Sequence, residues 1–117
     1  MANPRKSAQT RIKKKLDALF TNVPDEKREA AALLTKRAAF LLAGEDELER
    51  IMQDDGYIDT YDNGGGQSGM MVSATLKAYT QMNQQLLSTI RQLREFLPVD
   101  DDTGRDELTE FLKEHKR

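Results

Sequence analysis

From Ser73 to Pro98 the chain runs through "ATLKAYTQMNQQLLSTIRQLREFL" with no internal glycine or proline. Within it Leu76, Tyr79, Asn83, Leu86, Ile90, Leu93 and Leu97 recur at alternating spacings of three and four. That period puts them on one stripe of an α-helix, the a/d seam of a heptad repeat, with Asn83 its polar member. The helix is a rod of about 36 Å at 1.5 Å per residue, with Ser73 as its N-cap. An apolar stripe of that length needs a partner. It can pack on a second helix of the same chain, on another copy, or on both, since Met82 and Leu87 lie off the seam as a second strip. Two long helices cannot cover each other on every side, so leftover apolar surface predicts a homo-oligomer. A buried Asn83 would then fix register and copy number.

The intramolecular candidate is residues 25–54. Leu34, Leu41 and Leu48 repeat every seven residues there, and Leu33, Phe40, Gly44, Ile51 and Met52 fill the neighbouring stripe. Pro24 excludes helical geometry for Val23, and Asp25 and Glu26 follow where exposed helix amides favour negative charge. Gly44 weakens the middle by about 1 kcal/mol and marks a site for a kink or break, while Gly56 is a natural C-cap. Upstream, "SAQTRIKKKLDALF" (7–20) places Ile12, Leu16, Leu19 and Phe20 on one helical face under a coat of lysines.

Between the long helices stands "YIDTYDNGGGQSG", an alternating run followed by residues that tolerate positive φ. It reads as a β-hairpin over 57–72, with "QSGMMV" as the returning strand. Two strands alone are marginal in water, so the hairpin needs helices or a second copy against it. The glycines do not form a phosphate loop. That requires Gly-x4-Gly-Lys-Ser/Thr, whereas the nearest cation here is Lys77, inside the next helix, and the surroundings are acidic. After Pro98 an acidic linker leads to "RDELTEFLKEHKR" (105–117), a short amphipathic helix with Leu108, Phe111 and Leu112 as its apolar patch. It either packs back on the body or docks in a partner's groove.

Charge is sorted along the chain although its net value is only −2. Residues 1–20 hold Arg5, Lys6, Arg11, Lys13, Lys14 and Lys15 against Asp17 alone, while residues 45–62 hold eight acids against Arg50 alone. A basic end on an acidic body suggests a polyanion partner, most simply nucleic acid; a terminal helix that only aids solubility reads the same way. "DDDTGRDELTE" fails as a calcium loop, because Gly104 replaces a ligand and Arg105 the required glycine. The single His115 has no second His or Cys to make a metal site, and the chain has no cysteine. Nothing assembles a nucleophile, base and orienting group, so the expectation is no enzyme, no cofactor and no small-molecule substrate. No apolar run is long enough to span a bilayer, and the N-terminus lacks the apolar segment of a secretory signal, so no membrane role is expected.

The order of parts, with "TYDNGGGQSG" (60–69), "KAYTQMNQQL" (77–86) and "REFLP" (94–98), resembles the small terminase subunits of cohesive-end tailed bacteriophages over roughly residues 25–98. Many members carry an N-terminal helix-turn-helix of three helices, whereas residues 1–24 have room for one. The resemblance implies a non-catalytic ring in the host cell cytoplasm. Such a ring binds double-stranded viral DNA and recruits or regulates the large terminase subunit, which supplies ATPase and nuclease for genome packaging.

The expected fold is therefore mainly α. Residues 1–24 form a basic N-terminal arm or helix. Residues 25–98 form a long antiparallel helical hairpin with the β-hairpin between its helices, oligomerising through Leu76, Tyr79, Asn83, Leu86, Ile90, Leu93 and Leu97. Residues 99–117 form an acidic linker and a helix whose Leu108, Phe111 and Leu112 would dock on the large subunit. The alternative is a coiled-coil interaction or regulatory module without DNA binding.

Overall fold

The computed structural model describes residues 3–62, 68–97 and 103–115. The tip of the β-hairpin (63–67) and the acidic linker (98–102) lie outside the described residues. The described residues are mainly helical, with four helices and one short two-stranded sheet.

Helix α1 spans Pro4–Leu19 and starts three residues before Ser7. The capping residue is Asn3, whose Oδ1 accepts from the amides of Arg5 (3.0 Å) and Lys6 (3.3 Å). Pro4 follows at a position where a missing N–H costs nothing. Helix α2 spans Asp25–Asp55 in one unbroken run. Gly44 produces no break: Met82 lies against it from the opposite helix, and a Cβ there would meet the Met82 methyl. Gly56 ends α2 at φ 82°, its amide donating to the Met52 carbonyl at 2.7 Å, as the sequence suggested.

Strands β1 (Ile58–Asp62) and β2 (Ser68–Val72) pair antiparallel, with Ile58 opposite Val72 and Thr60 opposite Met70. The Ser73 amide donates to the Tyr57 carbonyl at 2.8 Å, and the Ser73 hydroxyl accepts from the Leu76 amide at 3.0 Å. One residue thus closes the ladder and caps α3 (Ala74–Arg94). Helix α3 stops before Leu97 and continues as turns, so the rod is shorter than the run to Pro98 suggested. Helix α4 spans Thr103–His115.

A single apolar cluster joins all four helices. Ile12 and Leu16 come from α1, Ala38, Ala39, Leu41, Leu42 and Ala43 from α2, Leu86 and Leu93 from α3, and Leu108 from α4. The alanines bring the α2 backbone close to its neighbours, and the larger leucines fill the space this leaves. Helix α1 runs antiparallel to α2: the Asp17 carboxylate accepts from the Thr35 hydroxyl at 2.5 Å, while the Arg5 charge at the other end of α1 acts on Glu47. Helix α3 runs antiparallel to α2 on another side, joined at Tyr79–Glu49 and Gly44–Met82.

The seam expected to drive oligomerisation faces into the protomer. Leu86, Leu93 and Leu97 are buried against the other helices, and Leu76, Tyr79, Asn83 and Ile90 are half-buried. Of the two partners open to the stripe, the same chain supplies the one seen. A heptad stripe specifies that a helix packs lengthwise on another, without specifying whose.

Candidate nucleic-acid interface

The six cations read from the sequence all lie on α1. Ile12 and Leu16 anchor its inner face, and helical periodicity leaves most of the cations on the outer one. Arg5, Lys6, Arg11, Lys14 and Lys15 are exposed, and Lys13 is half-buried. Lys13 is drawn to the α2 side, where its Nζ pairs with Asp17 Oδ2 at 2.7 Å. Asp17 in turn accepts from buried Thr35, so Lys13–Asp17–Thr35 is a structural tie between α1 and α2. The other five cations form no ion pair with any described carboxylate.

The antiparallel packing of α1 on α2 has an electrostatic consequence that separation along the chain conceals. It brings the basic helix alongside the acidic stretch Glu45–Glu49. Glu47 is held below the usual carboxylate range, first by its 2.8 Å hydrogen bond from Arg50 and by the Arg50 charge, with a smaller contribution from Arg5. Further along, Arg11 and Lys15 line one wall of a cavity of about 880 Å³. The opposite wall is α4, with Asp106, Glu107, Glu110 and Glu114, and Asp46 of α2 also lines the cavity. Ile12, Leu19 and Phe111 contribute apolar surface.

Helix α4 packs back on the body. Leu108 is fully buried, and Phe111 and Leu112 lie against the same cluster. Its end is held by His115, which stacks on Phe111 and places Nε2 2.9 Å from Asp46 Oδ2. The residues expected to dock on another protein are therefore engaged within the chain.

Apolar surface remains elsewhere. Leu33 (68% exposed) and Phe40 (54%) are seven apart on α2, hence on one stripe, and Leu87 of α3 is half exposed. In the hairpin Ile58, Val72 and Met70 share one face and Met71 the other, and all are exposed. These residues lie off the α3 seam. Of the second strip expected off the seam, Leu87 is left exposed while Met82 packs against the core.

Among the described residues no three His, Cys, Asp or Glu side chains group as a metal site, and no helix is long and apolar enough to cross a membrane. No protein-family model, curated protein or solved structure matches the chain.

Proposed function

We propose that this chain is a non-catalytic, self-associating adaptor that binds duplex DNA through the outer face of α1, in the manner of a phage small terminase subunit. The observation that carries the reading is the set of five exposed cations on α1 without ion-pair partners among the described residues. They lie along a helix whose inner face is anchored in the core by Ile12 and Leu16. Such a helix contacts phosphates without reading base edges, and copies around an oligomer multiply weak contacts into firm binding. The unpartnered apolar residues Leu33, Phe40 and Leu87, with the exposed hairpin, supply surface for self-association. Viral DNA and the large terminase subunit are the partners this reading implies, and the host cytoplasm its setting.

Replacing Arg5, Lys6, Arg11, Lys13, Lys14 and Lys15 together with Gln tests it. Duplex binding at low salt should fall by at least about a hundredfold. Unchanged binding would remove α1 as the DNA face.

A second reading, an interaction module without DNA affinity, is favoured by the acidic surroundings of α1: Glu47, on which the Arg5 charge acts, and the α4 carboxylates that line the same cavity as Arg11 and Lys15. Absence of duplex binding by the unmodified protein at low salt would select it.

A further inference from the structure

The acidic wall of α4 faces the cations on which the proposed function depends, and it belongs to the same chain. We infer that α4 is an electrostatic mask over one flank of the DNA-binding helix, and that duplex DNA and α4 compete for Arg11 and Lys15. The inference rests on the DNA-binding reading and adds a regulator to it.

Four features carry it. First, Arg11 and Lys15 are one helical turn apart and line the same cavity wall. Second, Glu107, Glu110 and Glu114 recur at spacings of three and four along α4, hence on one stripe, and line the wall opposite. Third, no direct ion pair crosses between these residues, the pairs nearby being Lys113–Glu110 within α4 (3.8 Å) and His115–Asp46 (2.9 Å). Charges held beyond ion-pair distance still act on an approaching phosphate within a Debye length of about 10 Å at 0.1 M salt. A phosphate approaching Arg11 or Lys15 meets these carboxylates too, so affinity on this flank is lowered while α4 stays in place. Fourth, among the described residues α4 is attached through one fully buried leucine, two flanking apolar residues, the half-buried Arg105 and one His–carboxylate contact. Displacing α4 would uncover the Arg11/Lys15 flank and free Leu108, Phe111 and Leu112 in one step. DNA binding and partner docking would then be coupled.

The three glutamates are exposed, so replacing them leaves the core intact. In the full-length chain, Glu107→Gln, Glu110→Gln and Glu114→Gln together should tighten duplex binding about five- to tenfold at low salt. A charge-matched control, Glu26→Gln, Glu29→Gln and Asp55→Asn, alters exposed acids elsewhere on α2 and should change binding less than about twofold. In the unmodified protein, saturating duplex should accelerate hydrogen exchange of the amides in residues 105–115.

Equal tightening by both triple variants would reduce the effect to net charge and overturn the mask. Unchanged affinity in the α4 variant, with binding still abolished by the six Gln replacements on α1, would also overturn it and leave the DNA reading standing. Unchanged or slower α4 exchange on adding duplex would contradict displacement. Binding by none of the proteins would remove the DNA reading and the mask together.

Discussion

Among individual residues, Tyr79 ties the two long helices by a means the heptad does not show. It occupies a seam position, yet its hydroxyl leaves the apolar stripe and donates to Glu49 Oε1 at 2.7 Å. That bond, then burial and the charges of Glu49, Glu45 and Asp46, pushes its pKa up to about 12. A raised folded-state pKa gives stability that is complete below the unfolded value and is lost as pH climbs through the folded one. The window here runs from 10.0 to about 12. Tyr79→Phe should therefore cost about 1 kcal/mol at pH 8, and the gap to the unmodified protein should close as pH approaches 12, read from urea midpoints of both proteins across that range. A gap independent of pH would mean that the hydroxyl does not bond Glu49. Periodicity placed Tyr79 on the inner stripe correctly. It could not foresee the bond, which depends on which residue of α2 arrives opposite.

At the level of elements, boundaries were legible where local chemistry decides them and less so where packing does. Pro24, Ser73 and Gly56 each act through their own backbone or side chain, and α2, α3 and the end of α2 fall where those residues imply. Gly44 is the counter-example. A propensity cost of about 1 kcal/mol suggests a break, but burial on both sides of the helix outweighs it and α2 runs through. Ser7 failed as a start because Asn3–Pro4 caps earlier. Orientation was the part left open: of the partners the α3 stripe could take, the helices of the same chain cover Leu86, Leu93 and Leu97, while Leu76, Tyr79, Asn83 and Ile90 stay half-buried. Leu93→Ala, at a fully buried position, should cost about 3 kcal/mol in thermal or urea unfolding. Leu87→Ala, at a position 48% exposed, should cost under about 0.5 kcal/mol in the same assay. If the two costs were reversed, α3 would pack in the opposite sense.

For the whole molecule, shape and charge act together. With a radius of gyration of 18.1 Å and a long axis of 63 Å, the chain is much more extended than the roughly 13 Å radius of a compact domain this size. An elongated four-helix body has a thin core and broad flanks, and Leu33 and Phe40 stand on one of them. If the chain self-associates through this flank as proposed, replacing both with Glu should lower the mass measured by native mass spectrometry or light scattering. An unchanged mass above that of one chain would move the proposed contact elsewhere, with the exposed hairpin the next surface to alter, and the mass of a single chain for the unmodified protein would remove self-association. The six cations were legible as a group because they crowd one short segment. Their setting was not, since only folding sets α1 against the Glu45–Glu49 stretch and α4 against Arg11 and Lys15. The central claim is that α1 binds duplex phosphates despite this setting. Its most direct test is the salt dependence of duplex affinity for the unmodified protein. If the five exposed cations of α1 that have no ion-pair partner among the described residues engage phosphates, the slope of log affinity against log salt should be about −4.5, a loss of several hundredfold between 50 and 200 mM salt. A slope near zero, or no binding at the lower salt, would contradict it.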